Sequence, residues 1–193
     1  HRRLHAALPP AASDPIAKSA LDMALFDLLS RREGLSLREY LGGSKEADPI
    51  ALSYTVTAKD SGAANEDIAQ ARAQGYRHFN FKAGLKPETD RAVARAVAKA
   101  APKGAFLWAD ANQGFDLEGA IRAAGFLKDE GIQVLEQPLP KTDFEGMRKL
   151  RAAVSIPLAV DEACVTPDDF RRHLTEKLVN FLVVKITRSG GIE

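Results

Sequence analysis

Six short apolar runs alternate without exception with longer stretches of helical composition, and this pattern constrains the fold more than any other feature of the sequence. The apolar runs cover residues 50–56, 78–83, 106–112, 133–138, 157–164 and 180–186. The stretches between them cover residues 65–74, 88–101, 117–129, 144–153 and 167–177. Such alternation predicts right-handed βα units on a parallel sheet whose strands are covered on both faces. Two architectures fit, an open doubly wound sheet and a closed eight-stranded barrel.

Nucleotide-binding motifs are missing from the places where an open sheet would carry them. The run that ends at Val56 is followed by the sequence TAKD rather than by a Gly-x-Gly-x-x-Gly turn. No Gly-x4-Gly-Lys-Ser/Thr motif occurs anywhere in the chain. The nucleotide-binding interpretations therefore lose their main support.

The first 48 residues have helical patterning and no strand signal. Asp14 and Pro15 suit an N-cap and a first helical position, and apolar residues then recur every three or four positions. We therefore expect a helix over residues 15–32. Ser36 and Glu39 form the pattern of a capping box, which predicts a short second helix that ends at Gly42.

Charge and cysteine content exclude several classes of protein. Lys and Arg number 27 and Asp and Glu 26, for a net charge of +1, so nothing points to nucleic acid or a membrane surface as a partner. No stretch reaches the roughly 18 consecutive apolar residues of a membrane span. The single cysteine, Cys164, excludes an intramolecular disulfide and suits a reducing compartment, so we expect a cytoplasmic protein. Whether it forms a homo-oligomer is left open.

One ionisable residue lies at the end of each of the second to sixth apolar runs. These residues are Lys82, Asp110, Glu136, Asp161 and Lys185, and successive members are 24 to 28 residues apart. That spacing is about one βα unit, so we expect equivalent positions at the carboxyl ends of the strands, where barrel enzymes build their active sites. The residues two positions earlier are expected on the same inward face, one layer below: Asn80, Trp108, Val134, Ala159 and Val183.

The three acids among these residues point to a divalent metal. Glu136 is the strongest signal, because it ends an otherwise apolar strand where an unpaired charge would be costly. Hard oxygen ligands with no nearby His or Cys suit Mg²⁺ rather than zinc. In an eight-strand ring, Lys82 and Lys185 would face each other across the mouth. Two amines on opposite sides of a metal-bound substrate can remove and return a proton adjacent to a carboxylate, through an enediolate.

Several short motifs together resemble a known family. They are DMALFDLL at 22–29, NFK at 80–82, DAN at 110–112, EQP at 136–138, DE at 161–162, and Lys185 followed by two glycines at 190–191. Over about residues 14–193 the chain is similar to the enolase superfamily, in its muconate-lactonising-enzyme-like subgroup. The resemblance implies a (β/α)8 barrel of the TIM type, Mg²⁺ bound by Asp110, Glu136 and Asp161, and acid and base roles for Lys82 and Lys185.

The resemblance also sets expectations for domains. Residues 1–48 would be the helical segment that joins an N-terminal capping domain to the barrel, and residues 49–193 would supply the first six barrel strands. Most of the capping domain and strands seven and eight are then missing, so we expect a native protein longer than 193 residues. Because those parts usually shape substrate choice, the exact substrate is not predicted.

One departure from the family pattern concerns the second strand. The family has Lys-x-Lys where this chain has Asn80, Phe81 and Lys82, so a positive neighbour that would lower the pKa of the catalytic amine is replaced. Asn80 is a candidate for a residue that supports the site or contacts the substrate, as are Asn112 and Glu162.

These expectations favour a Mg²⁺-dependent isomerase acting on a small-molecule carboxylate, as a racemase or epimerase of an amino-acid derivative. A cycloisomerase or dehydratase on the same site is the alternative enzyme. A catalytically silent fragment or binding module is the alternative outside enzymes. A sugar-phosphate barrel enzyme is a further alternative, since its phosphate loops would follow strands seven and eight.

Overall fold

The structure, a computed structural model, describes residues 15–46 and 48–192. The N-cap predicted at Asp14 lies outside these residues. None of the helices within them is both long and apolar enough to cross a lipid bilayer. The chain divides into two compact units, one formed by Ala51–Val183 and the other by the chain up to Ile50 together with Val184–Glu193.

The larger unit is a six-stranded parallel sheet with a helix after each of the first five strands. Its strands are β1 (Ser53–Val56), β2 (His78–Lys82), β3 (Leu107–Asp110), β4 (Val134–Glu136), β5 (Leu158–Val160) and β6 (Phe181–Leu182), paired in that order. All five pairings are parallel. The predicted alternation and fold class are therefore confirmed. Each strand is shorter than its apolar run, because the runs also include the loop residues that flank the strand.

Five helices cover this sheet, and local signals set their ends. The smaller unit contains the helices α1 (Pro15–Arg32), α2 (Leu37–Tyr40) and α8 (Ile186–Ser189). The five helices of the larger unit are α3 (Ser61–Ala73), α4 (Pro87–Ala100), α5 (Leu117–Asp129), α6 (Phe144–Ala153) and α7 (Pro167–Thr175). Asp60, Asp116 and Asp143 each accept hydrogen bonds from first-turn N–H groups of α3, α5 and α6. Phe79 and Phe81, fully buried on alternate positions of β2, belong to the apolar core.

In the smaller unit, α1 is held to the segment after α8 through a buried acid. Asp22, 1% exposed, accepts a hydrogen bond from the Ile192 N–H at 2.5 Å. Gly191 has φ +132°, and a side chain there would place its Cβ 2.4 Å from Asp22 Oδ2. Only glycine fits this position without strain. The apolar periodicity correctly predicted the helix but not its buried face, since Met23 is 39% exposed while Ser19, Asp22 and Ser30 are buried.

The strand register corrects one expectation. Lys82 pairs with Asp110 and Asp110 with Glu136, as predicted, but Glu136 pairs with Ala159. Asp161 therefore lies two residues beyond the level of the other two acids, on the same face of the sheet. Strands in a barrel-type sheet are tilted and staggered, so equal spacing along the chain does not give equal height. The predicted common register is wrong at β5.

The layer beneath shows the same shift. Asn80, Trp108 and Val134 are paired across β2, β3 and β4, as expected. Ala159, expected in that layer, is instead level with Glu136, and its partner on β6 is Phe181 rather than Val183. The stagger therefore changes which side chains share a layer without changing which face they occupy.

His173 on α7 gives the larger unit a specific pH dependence. The ring is 1% exposed, its Nε2 lies 3.3 Å from the Ala163 carbonyl oxygen, and its Nδ1 has no hydrogen-bond partner in the described part of the chain. Burial lowers the pKa of His173, against the opposing effects of the Ala163 carbonyl and of Asp169 and Glu176, while Arg172 adds to the lowering.

The folded chain therefore keeps His173 neutral at pH values where the unfolded chain takes up a proton. Above the unfolded pKa of about 6.5, His173 is neutral in both states and the fold keeps its full stability. As the pH falls below that value and through the folded pKa, the free energy of unfolding decreases, because the unfolded chain binds the proton more readily. Urea unfolding at pH 7 and pH 5 should show a smaller loss of stability for His173→Gln than for the wild type. Equal losses in the two proteins would contradict the assignment.

Candidate active site

A lysine and two buried acids form a row across three adjacent strands. Lys82 ends β2, Asp110 ends β3 and Glu136 ends β4, at paired positions. Asp110 is 5% exposed and Glu136 7%. The Lys82 ammonium donates to Asp110 Oδ2 at 2.7 Å, and the Asn112 backbone N–H donates to Asp110 Oδ1 at 3.0 Å. The Lys82 ammonium and the Asn112 N–H thus stabilise the negative charge of the buried Asp110 carboxylate.

The Lys82 amine has a second fixed partner. It also donates to Asn112 Oδ1 at 2.6 Å, and the Asn112 Nδ2 donates to Glu162 Oε1 at 3.1 Å. The second oxygen of Glu162, Oε2, is buried with no hydrogen-bond partner in the described residues. Asn112 thus connects the end of β2 to the loop after β5, and the side chain of Lys82 is still 44% exposed. An amine that is held on one side and open on the other can meet a substrate.

Asp161 follows the last residue of β5 and is 2% exposed. Its backbone N–H donates to the side-chain oxygen of Gln137 at 3.0 Å. Gln137 lies next to Glu136 and is itself fully buried. Sequence reasoning quoted Gln137 as part of a motif but gave it no role. The available signal was an amide directly after a buried acid, in a stretch that is otherwise apolar.

Three residues other than glycine adopt left-handed backbone conformations just after β3 and β4. Asn112, Gln113 and Gln137 have φ values of 42°, 69° and 38°. Residues other than glycine rarely adopt this region, and they persist in it only where surrounding contacts hold them. Here the Gln113 N–H donates to the Gln137 carbonyl at 2.8 Å. The two loops therefore stabilise each other's conformation.

The loops after β2 and β3 also approach each other through their backbones. A Cβ at Gly84 would lie 3.0 Å from the Ala111 carbonyl oxygen and 3.1 Å from Gly114 Cα. A Cβ at Gly114 would lie 2.9 Å from the carbonyl oxygen of Gly84. Both positions therefore exclude a side chain, and the loop that follows Lys82 rests directly on the loop that follows Asp110.

Asn80, which replaces the first lysine of the family pattern, makes two side-chain contacts to β1. The hydroxyls of Ser53 and Thr55 lie 3.3 and 3.0 Å from Asn80 Oδ1 and donate to it. On the neighbouring strand, the buried Nε1 of Trp108 has no hydrogen-bond partner among the described residues. Asn80 is thus a neutral, hydrogen-bonded group in the layer below Lys82.

Lys185 lies in the smaller unit rather than at the end of a strand. The sequence predicted a strand through this residue, but β6 ends at Leu182. Lys185 is the N-cap residue of α8, and its carbonyl oxygen accepts from the N–H groups of Arg188 and Ser189 at 2.9 and 3.1 Å. The side chain is exposed. The predicted acid and base role of Lys185 stays a prediction.

The donor set of the strand ends fits Mg²⁺. Asp110, Glu136 and Asp161 are three buried carboxylates on adjacent strands, and hard oxygen donors without imidazole or thiolate are the ligands that Mg²⁺ prefers. As the side chains stand, no three His, Cys, Asp or Glu residues within 15–46 and 48–192 form a ready cluster for a metal ion. The carboxylate of Asp110 instead accepts hydrogen bonds from the Lys82 ammonium and from the Asn112 backbone N–H.

This fold and this site define a class of protein, a parallel βα barrel domain with an acidic site at the carboxyl ends of its strands. The chain belongs to the family described as enolase C-terminal domain-like, whose sequence model matches residues 63–193. The resemblance predicted from the sequence motifs is therefore confirmed.

Epimerases are among the proteins similar to this chain. An L-Ala-D/L-Glu epimerase of Clostridium acetobutylicum is 32% identical over 178 residues, which are 91% of this chain and 49% of the relative. The crystal structure of a dipeptide epimerase from Cytophaga hutchinsonii, complexed with Mg and the dipeptide D-Ala-L-Val, matches with a TM-score of 0.86 and 31% identity, over 94% of this chain and 49% of that one.

A second solved structure carries a different activity on the same fold. The muconate lactonizing enzyme from Pseudomonas fluorescens, complexed with muconolactone, matches with a TM-score of 0.86 and 30% identity, over 98% of this chain and 50% of that one. The chain therefore spans about half the length of the relatives that it matches.

Proposed function

We propose that the protein is a Mg²⁺-dependent epimerase that inverts the carbon next to a carboxylate in an amino-acid derivative, with dipeptides as the substrate class. The observation that carries the proposal is the row of Lys82, Asp110 and Glu136, which places an amine beside buried carboxylates at paired strand ends. The similarity to dipeptide epimerases supports the choice of substrate class.

In this proposal each charged residue has one task. Asp110, Glu136 and Asp161 would hold Mg²⁺, whose positive charge would stabilise negative charge on the carboxylate group of the substrate. Lys82 removes or returns the α-proton on one face of the substrate carbon, and Lys185 does so on the other. Asn112 keeps the Lys82 amine at a fixed position, since its side-chain oxygen lies 2.6 Å from Nζ. Glu162 in turn orients the Asn112 amide.

A cycloisomerase or dehydratase acting on the same residues is the second candidate. The similarity to a muconate lactonizing enzyme, solved in complex with muconolactone, favours it. The fate of the substrate carbon separates the candidates: an epimerase adds a proton to the opposite face of the same carbon, a dehydratase expels a leaving group from the neighbouring carbon, and a cycloisomerase closes a ring. We also propose a cytoplasmic location, on the single cysteine.

Hydrogen exchange in D₂O tests the proposal. The whole protein with Mg²⁺ should exchange the α-hydrogen of at least one member of a panel of dipeptides and N-acyl amino acids, and removal of Mg²⁺ by a chelator should stop the exchange. Mass spectrometry measures the deuterium, and chiral chromatography measures inversion. Release of a leaving group or ring closure without inversion would favour the second candidate. Mg²⁺-induced thermal stabilisation with no exchange for any substrate would favour a catalytically silent binding module.

A further inference from the structure

We infer that Gln137 is a positioning residue that fixes the end of β5 relative to β3 and β4 and thereby sets the affinity of the site for Mg²⁺. The inference rests on the proposed function, because it assumes that Asp110, Glu136 and Asp161 bind one ion. Gln137 itself holds no metal in this scheme and touches no substrate.

All the polar atoms of the Gln137 side chain are occupied inside the protein. Its Oε1 accepts from the Asp161 N–H at 3.0 Å and from the Ala163 N–H at 3.1 Å. Its Nε2 donates to the Leu139 carbonyl oxygen at 3.0 Å. The residue is 0% exposed, so water cannot replace these bonds, and each lost partner would leave a buried polar group unsatisfied.

The backbone of Gln137 joins the same loops. Its N–H donates to the Ala159 carbonyl oxygen at 2.9 Å, as expected for a parallel ladder, while its own carbonyl accepts from the Gln113 N–H at 2.8 Å. Gln113 belongs to the loop after β3, and Ala159 to β5. Gln137 therefore forms hydrogen bonds both to the loop that follows Asp110 and to the segment that contains Asp161.

The left-handed conformation of Gln137 explains why the side chain is needed. In a continuing parallel ladder, the Asp161 N–H would donate to the Gln137 carbonyl. With φ at 38°, that carbonyl accepts from Gln113 on the other side, and the side-chain oxygen accepts from Asp161 in its place. The side-chain amide thus extends the sheet by one hydrogen bond beyond the last residue of β5.

The hydrogen bond from the Asp161 N–H to Gln137 is important because the three acids do not lie at one level. Asp161 lies beyond the level of Asp110 and Glu136, past the end of β5, so the strand pairing does not fix its backbone. The hydrogen bond from the Asp161 N–H to the Gln137 side chain ties this backbone to the residue after β4. Groups that orient a metal ligand without binding the metal change metal affinity by about 10- to 100-fold when they are removed. We expect an effect of that size.

Titration of Mg²⁺ by calorimetry into the whole protein tests the inference. Gln137→Met keeps the length of the side chain and removes its hydrogen bonds, so the Mg²⁺ affinity should fall by about 10- to 100-fold. Hydrogen exchange of the Asp161 and Ala163 amides, measured without Mg²⁺, should be faster than in the wild type. Should Gln137→Met not fold, Gln137→Asn, whose amide is one methylene too short to reach both N–H groups, should show the same two changes.

Leu150→Ala is the matched control for a general loss of stability. Leu150 on α6 is also 0% exposed, but its side chain makes no hydrogen bond. Its replacement should lower the unfolding temperature and leave the Mg²⁺ affinity within about threefold of the wild type. An unchanged affinity in a folded Gln137 variant, or an equal loss in Leu150→Ala, would overturn the inference alone. A wild-type protein that binds no Mg²⁺ would overturn the proposed function and this inference with it.

Discussion

Replacing either Lys82 or Lys185 by Ala should abolish epimerisation and leave α-hydrogen exchange for one enantiomer of the substrate only. If the amines act on opposite faces of one carbon, each variant keeps the base for one enantiomer and lacks the acid that completes inversion. Lys82→Ala should then exchange the enantiomer whose proton points to Lys185, and Lys185→Ala the other. The loss of a general acid or base typically costs about 10²- to 10⁴-fold in rate.

The measurement is deuterium incorporation into each pure enantiomer, followed separately from inversion. Lys99→Ala is the matched control, because Lys99 is an exposed lysine in the last turn of α4, so its loss removes the same charge without touching the strand ends. It should behave as the wild type. Full epimerase activity in either single variant, or loss of exchange for both enantiomers in only one of them, would show that the two amines are not paired.

Glu136→Gln should lower the Mg²⁺ affinity by more than about 100-fold. Removal of a residue that only orients a metal ligand lowers the affinity by about 10- to 100-fold, and Glu136 is proposed to be a ligand itself. Glu136 is 7% exposed, and the substitution removes its charge while keeping its shape. A carboxylate is a far better ligand for Mg²⁺ than a neutral amide oxygen in a site where charge balance matters. Calorimetry measures the affinity directly and needs no substrate.

Glu118→Gln is the control for the change in net charge. Its side chain is 86% exposed on α5 and pairs with Arg122 at 3.6 Å, one helical turn away. Its Mg²⁺ affinity should match that of the wild type. Unchanged Mg²⁺ binding in Glu136→Gln would remove Glu136 from the site, and with it the proposed assignment of the three acids.

The order of strands and helices was predictable because it depends on local pattern. The predicted helices at 117–129 and 144–153 match α5 and α6 at both ends, and an Asp N-cap fixes the start of each. The level of Asp161 was not predictable, because strand stagger follows from the tilt of the whole sheet and not from spacing along the chain. The same limit applies to Lys185, which an apolar run placed in a strand and the structure places at the start of α8.

The sequence predicted which charged residues form the candidate site but not the hydrogen bonds that connect them to their neighbours. Spacing along the chain selected Lys82, Asp110 and Glu136, and their pairing on β2, β3 and β4 is as expected. The contacts of Asn112 and Gln137 depend on φ values near 40°; asparagine is enriched in that region but adopts it at few positions, and glutamine gives no such signal. Side chains that replace a backbone hydrogen bond become visible only when the backbone conformation is known.

The close contact between Gly84 and Gly114 limits how this protein can be re-engineered. A Cβ at either glycine would meet backbone atoms of the opposite loop at about 3 Å, and neither loop has a side chain there that could be shortened in compensation. A segment transplanted from a relative after β2 alone would therefore collide with its neighbour unless it carried the same glycine. The two loops have to be exchanged as a pair, and random libraries meant to alter substrate choice should leave both glycines fixed and vary the residues around them.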